Sequence, residues 1–187
     1  SFGFTEDEVT KLLDYYGLNR FHDTVRTWYD GYQFGNTSVY CPWDVIKYTQ
    51  ILLKDKEAEP ENYWANTSGN DLVRRFVNKA NKTTRNEIER LIAGEAIEKQ
   101  IRLDLTYDEI DNSIDNLWSV LFTTGYLTQI GLTEEGAYKL VIPNKEVREV
   151  YKLQIQEWFE KSLFSNVDQL QSFWKSFAEG NTEEIEK

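Results

Sequence analysis

The stretch Trp28–Tyr48, WYDGYQFGNTSVYCPWDVIKY, contains the densest structural information in this sequence. It combines seven aromatic residues with Asp-Gly, Gly-Asn and Cys-Pro pairs. Aromatic rings are costly to leave in water, and glycine and proline mark particular backbone geometries, so we predict one compact structural turn. The residues that define this predicted signature are Trp28, Tyr29, Asp30, Gly31, Tyr32, Phe34, Gly35, Tyr40, Pro42 and Trp43.

The same stretch has no nucleophile–base pair, no set of metal ligands and no phosphate loop. Neither GxxxxGK[ST] nor GxGxxG occurs anywhere in the chain. His22 is the sole histidine and is predicted on the polar surface of a helix, which leaves no base for a triad. Cys41 is alone and is predicted to be a small buried apolar group. We therefore expect no catalytic residue, no metal and no cofactor within this chain.

Composition places the chain among water-soluble globular proteins. Of its 187 residues, 40% are hydrophobic and 28% are charged. No apolar run approaches the roughly 20 residues that span a bilayer, and the first residues do not resemble a signal peptide. We expect a cytoplasmic protein that does not bind membranes. Because the chain contains no methionine, we also expect it to be a piece of a longer polypeptide.

The net charge of −11 opposes non-specific binding to nucleic acids. One segment differs: residues 74–90 contain six basic and two acidic residues. We favour a solvated helical surface there, and a patch that meets phosphate or an acidic neighbour is the alternative.

Periodicity predicts a small helical array over residues 1–95. Thr5 and Glu8 have the spacing of a capping box, and further helices are expected at about 19–29, from Pro42 to about Leu53, and near residues 70–92. Tyr32–Phe34 and Val39–Tyr40 are expected to form a short hairpin. Thr83 or Thr84 is expected to cap the last helix of this array.

The second half predicts a winged-helix-like unit over residues 96–162. It consists of a strand around 101–105, a helix at 111–124, strands at 126–130 and 137–142, and a long helix that begins at Pro143-Asn144. Residues 163–187 are expected to form a helical linker with the apolar residues Val167, Leu170, Phe173, Trp174 and Phe177 on one face. The predicted fold class is thus mainly α with a short antiparallel hairpin.

Two features of this unit could suggest chemistry but have simpler explanations. Asp104, Asp108 and Asp111 are closely spaced, yet Thr106 has the position of a helix cap, where nearby acids stabilise the helix dipole. The segment Ser113–Thr124, which would be the recognition helix of a DNA-binding protein, contains no lysine or arginine. We therefore expect this unit to pack against other domains.

Several motifs resemble one family. They are GFTEDEV at 3–9, WYDGYQFG at 28–35, VYCPWDVIKY at 39–48, YWANTSGNDLV at 63–73, LWSVLFTTGYLT at 117–128 and YKLVIPNKEVREVY at 138–151. In this order they are similar to the predicted AAA-ATPase-like proteins of bacteria.

The resemblance implies a longer protein with an amino-terminal P-loop ATPase core, which binds ATP and Mg²⁺, and a carboxyl-terminal PD-(D/E)xK nuclease-like domain. It implies that residues 1–95 form a lid-type region, in which Arg74 and Arg75 are candidates for sensing phosphate. The chain would be a non-catalytic connector, with those two domains as its intramolecular partners. A nucleic-acid-binding module that uses residues 74–90, although nucleic acid is disfavoured, and a stand-alone protein-interaction module are the alternatives.

Overall fold

Secondary structure follows the local sequence signals closely in a computed structural model, which describes residues 3–63, 70–105 and 107–165. The helices are α1 (Glu6–Tyr15), α2 (His22–Tyr29), α3 (Pro42–Leu52), α4 (Asn70–Lys79), α5 (Lys82–Ile92), α6 (Ile114–Thr123) and α7 (Lys145–Ser165). The strands are β1 (Tyr32–Phe34), β2 (Thr37–Val39), β3 (Ile97–Lys99), β4 (Thr128–Leu132) and β5 (Tyr138–Val141). The predicted mainly α fold with a short hairpin is confirmed.

The first residues of the helices show which local sequence signals predicted a helix start correctly. Helix α1 begins with the predicted capping box, in which the Thr5 amide donates to the Glu8 carboxylate at 2.8 Å. Pro42 occupies the first turn of α3, as expected. The predicted cap of α5 is wrong, because Asn81 precedes both threonines and its side-chain oxygen accepts the Thr84 amide at 2.9 Å.

The first sheet is a hairpin of β1, as predicted, and β2, with Tyr32 opposite Val39. The second strand begins at Thr37 and not at the predicted Val39, because only Gly35 and Asn36 form the turn. The second sheet has the antiparallel order β3-β5-β4. Its first strand is not the predicted one: Ile97 pairs with Leu140 of β5, and the chain leaves the sheet after Lys99. Leu103, in the centre of the predicted strand, is 64% exposed, so the alternating pattern there does not mark a buried face.

The order of elements in the second half is the predicted one of strand, helix, hairpin and helix. A 3-10 helix at Tyr107–Asn112 precedes α6, which Ser113 caps by accepting the Asn116 amide at 3.1 Å. The predicted start of this helix at Asp111 is therefore three residues early. The predicted cap Thr106 and the predicted helix with Val167 to Phe177 lie outside the described residues.

The buried side chains form two hydrophobic cores. The first core contains Val9, Leu13, Leu18, Val25, Tyr29, Tyr40, Val45, Tyr48 and Leu52. The second core runs from Val73 to Tyr151 and includes α4 and α5 as well as the second sheet. Phe76 of α4 packs edge-on against Trp118 of α6, with 4.4 Å between ring centroids.

The two cores thus divide between Tyr63 and Leu72, whereas the predicted regions meet at residue 95. The limits 1–95, 96–162 and 163–187 stay predictions as domain limits. Among the helices that the structure describes, none has both the length and the apolar character needed to cross a bilayer.

Candidate functional site

Gly31 brings the aromatic segment into direct contact with the loop before α7, and so joins the two cores. Its φ of +110° lies in the region that favours glycine. A Cβ atom at this position would lie only 1.9 Å from the carbonyl oxygen of Pro143. Because the obstacle is backbone, no side-chain rotation can relieve the clash. We call this contact region, around Gly31 and the start of α7, the junction.

Asp30 fastens the other side of the same turn. Its amide ends α2 by donating to the Arg26 carbonyl at 3.2 Å. Its carboxylate accepts the Ser38 hydroxyl of β2 at 2.9 Å. The Asp-Gly pair therefore ends a helix, supports the hairpin and permits the approach of a second backbone.

Glu146 is the principal polar contact of the junction. Its side chain is fully buried, although glutamate side chains in proteins are mostly exposed. One carboxylate oxygen accepts the Tyr63 amide at 2.6 Å, and its carbonyl accepts the side-chain amide of Asn62 at 3.0 Å. Glu146 lies in the first turn of α7, where the helix dipole favours negative charge. It thereby ties the loop that follows α3 to the start of α7.

Asp44 is a second fully buried carboxylate, in the first turn of α3. Burial, followed by the charges of neighbouring groups that include Glu146 and Asp44, raises the pKa of both Tyr29 and Tyr32 above the usual value. The Tyr29 hydroxyl donates to the Glu61 carbonyl at 3.0 Å. These phenols are held neutral, which suits a structural role and provides no base.

Cys41 lies beside Asp44 and is half-buried. Burial, and then a hydrogen bond to Asp44, raises the pKa of its thiol to about 12. Nucleophilic attack by cysteine needs the thiolate, which a raised pKa disfavours at neutral pH. The prediction of a small buried apolar group is only partly met, because the side chain is half-buried and lies against a carboxylate.

Two contacts lie at the rim of the junction. The amide of Gln33 in β1 donates to the Thr128 hydroxyl of β4 at 3.0 Å. The Lys145 ammonium lies 4.5 Å from the ring centroid of Trp28. The aromatic segment therefore contacts both the second sheet and the start of α7.

The predicted signature is only partly packed. Tyr29 and Tyr40 are buried, but Phe34 is 56% exposed and Trp43 is 59% exposed, contrary to the expectation of one closed turn. Phe34 directly precedes the turn of a two-stranded hairpin, which offers little cover. Trp43 lies on the outer side of α3, where the Lys47 ammonium lies 4.6 Å from its ring centroid.

The candidate phosphate-sensing residues lie on α4, a helix that packs against α7. The guanidinium of exposed Arg74 pairs with Asp71 one turn earlier, and Arg75 is half-buried. Successive helical residues leave a helix in different directions, so the side chains of Arg74 and Arg75 start from different sides of α4. Their proposed role stays a prediction.

Other cations of the 74–90 segment also have partners within the protein. Arg85 stacks on Trp158 at 3.9 Å from the ring centroid, and Arg90 pairs with Glu95 at 2.9 Å. Glu87 of the same segment binds Lys99 at 2.8 Å. These contacts within the protein are compatible with the predicted solvated helical surface. The alternative of a patch that meets phosphate stays a prediction.

The remaining titratable candidates are the closely spaced aspartates and His22. Asp104 is exposed and lies 3.5 Å from Arg102, and the described residues contain no group of acids, histidines or cysteines placed to hold a metal. His22 is half-buried rather than on the surface, with its Nε2 atom 3.1 Å from both Glu6 and Thr10.

Sequence reasoning missed Glu146, Asp44 and Asn62. The available signal for the two acids was their position in the first turn of a predicted helix, which normally indicates an exposed residue. Their burial depends on the approach of residues far away in the chain, which local patterns do not report.

Comparison with known proteins yields one informative match. The chain is similar to "Uncharacterized protein in vnfD 5'region" from Azotobacter chroococcum mcd 1, with 27% identity over 151 residues that cover 78% of this chain. The chain spans only 26% of the length of that relative. No protein-family model matches the chain. No solved structure matches it either.

Proposed function

We propose that this chain is a non-catalytic connector of a larger AAA-type ATPase, which transmits the nucleotide state of a P-loop core to a nuclease-like domain. The observation that carries the proposal is the junction, where Gly31 and Glu146 join two hydrophobic cores through close backbone contact and buried hydrogen bonds. A rigid joint of this kind suits the transfer of motion between domains. The resemblance described above supplies the identity of those domains.

The match to a longer relative supports a place within a larger protein. Most of that relative lies outside the matched part, which leaves ample length for further domains. The relative's name assigns no activity, so the ATPase and nuclease-like functions rest on the resemblance. Under this proposal ATP and Mg²⁺ bind outside the chain, because its sequence contains no P-loop.

Coupling in the longer protein tests the proposal. Glu146→Gln weakens the acceptor for the Tyr63 amide with little change of volume, and Glu149→Gln on the same helix is the matched control. We expect Glu146→Gln to preserve the rate of ATP hydrolysis while it reduces the effect of ATP on nuclease activity. Parallel assays of both activities, with and without ATP, make the measurement.

Two results would contradict the connector role. One is a longer gene with no P-loop encoded before Ser1. The other is equal coupling in the Glu146→Gln and Glu149→Gln proteins, because the junction would then have no part in transmission.

The two alternative functions differ in their support. Nucleic-acid binding by residues 74–90 is weakened by the internal partners of Arg74, Arg85 and Arg90. A salt-dependent gel shift that is lost when those charges are reversed would restore it. A protein-interaction role is favoured by a groove beside β4.

A further inference from the structure

A groove opens where the β1–β2 hairpin and strand β4 diverge. The hydrogen bond from Gln33 to Thr128 holds the two together at one end. Beyond it they enclose a volume of about 550 Å³. The groove is lined by Gln33, Gly35, Asn36, Gln129, Ile130, Gly131 and Leu132. It therefore continues the contact between the aromatic segment and the second sheet.

Strand β4 presents an edge to this groove. It is the last strand of the order β3-β5-β4, and within the described residues it pairs along one side only. Its sequence TQIGL contains no charge and no proline, which are common means of preventing the addition of another strand. A bulge between Gln129 and Gly131 shortens the regular ladder, so any added strand is short.

The apolar side chains beside the groove suit an extended partner. Ile130 is 58% exposed at the bulge, and Leu132 is 57% exposed where the strand ends. An added strand with apolar residues at alternate positions would cover such side chains while its backbone pairs with β4.

The charge at one end of the groove defines the partner further. Glu134 and Glu135 lie in the turn after β4, separated from its last residue by Thr133, and both are exposed. In a chain of net charge −11, they favour a basic residue at the corresponding end of the partner.

We propose that this groove binds an extended peptide segment of another protein, with alternating apolar residues and a terminal basic residue, which adds to β4 as a further strand. The proposal stands whether or not the chain is an ATPase connector, because it depends only on the edge, the groove and the charges around them. Strand addition gains affinity mainly from main-chain hydrogen bonds, so even a generic peptide is a valid probe.

The probe is the end-capped peptide KVTVTVTVK, titrated into the chain while backbone amide signals are followed by NMR. We expect a dissociation constant of roughly 0.1–1 mM, with the largest shifts at Gln33, Asn36 and Gln129–Leu132. Methylation of alternate peptide nitrogens tests the pairing. In one register it should weaken binding about tenfold or more, and in the other it should have little effect, because only one edge of the added strand faces β4.

Matched variants locate the site. Ile130→Lys should weaken binding about tenfold, because it places a charge beside the basic peptide and removes an apolar contact. Leu103→Lys is the control, since Leu103 is 64% exposed and does not line the groove. The same peptide with glutamate at both ends should bind about threefold more weakly at low salt, because of Glu134 and Glu135.

Three outcomes would overturn the proposal. The first is no change of the β4 amides at millimolar peptide. The second is equal binding of the two methylated registers. The third is self-association of the chain that Ile130→Lys abolishes and peptide does not compete with, because a second copy would then be the occupant of the groove.

Discussion

The two hydrophobic cores are built on different principles. In the first core, the hydroxyl groups of Tyr29 and Tyr48 donate to the carbonyls of Glu61 and Ala58, each at 3.0 Å. Most buried residues are aliphatic in both cores, and the second core also contains the edge-on contact of the Phe76 and Trp118 rings. Hydrogen bonds from the first core therefore hold residues 58–61 in place. In the second core, the close fit of packed side chains has the larger part.

The junction combines close packing with buried hydrogen bonds, and together these join the two cores. Close backbone packing at Gly31 leaves no space for a side chain at this position. The hydrogen bond from the Tyr63 amide to Glu146 fixes the polar partner. Variants can therefore distinguish the cores from each other and from the junction.

The largest effect is expected from Gly31→Val. The added side chain would collide with the carbonyl of Pro143 and would need a φ of +110°, which valine rarely adopts. We expect a loss of about 4 kcal/mol in the free energy of unfolding, measured by urea denaturation. Gly35→Val is the control, since Gly35 also has a positive φ but has no neighbouring atom within 4 Å of the added Cβ. Equal losses for both variants would exclude the close contact as the cause.

Leu13→Ala and Leu117→Ala compare the cores directly. Both leucines are buried, one in each core, and each truncation is expected to cost about 3 kcal/mol. Because the junction couples the cores, we expect one cooperative transition by circular dichroism and by tryptophan fluorescence. If the two probes separated, and each variant shifted only one of the two transitions, the cores would be independent units.

Glu146→Leu tests the polar part of the junction. It removes the acceptor of the Tyr63 amide and leaves this group without that partner, at an expected cost of about 2 kcal/mol. Glu149→Leu removes a partly exposed carboxylate that pairs with Lys152 at 2.8 Å, and it should cost less than about 0.5 kcal/mol. A thermal denaturation series that ranked the two variants equally would show that the buried hydrogen bond adds no stability.

The smallest effect concerns alkaline pH. Burial raises the pKa of Tyr63 from 10.0 to about 12, so the folded chain keeps a proton that the unfolded chain releases. The contribution of Tyr63 to stability is therefore complete below pH 10.0 and is lost as pH rises toward about 12. Tyr63→Phe should flatten the fall in unfolding free energy over this range, and Tyr15→Phe, at a ring that is 82% exposed, should not. An unchanged slope in Tyr63→Phe would contradict the raised pKa.

Local sequence patterns predicted most elements because their signals lie within a few residues of one another. The capping box of Thr5 and Glu8, the first turn at Pro42 and the hairpin around Gly35-Asn36 are all of this kind. One prediction failed where two local signals competed, since Asn81 caps α5 in preference to the threonines that follow it. Another failed for a non-local reason, because β3 forms at residue 97, where β5 pairs with it.

Fewer features of the candidate site than of the fold could be predicted from the sequence. Absence of a P-loop and of a triad follows from residue types alone, so the sequence was sufficient to expect no such catalysis in this chain. The exposure of Phe34 and Trp43, and the groove beside β4, depend on which surfaces meet after folding. Composition does not contain that information.

By itself, the sequence determined the helical character of the chain, the ends of most elements and the position of the aromatic segment between α2 and α3, since these depend on short-range backbone preferences. Only the tertiary structure decided that Gly31 meets Pro143, that Glu146 is buried and contacts Tyr63, and that β4 pairs along one side only within the described residues. Those features join residues more than 80 positions apart, and only packing of the complete chain selects such contacts.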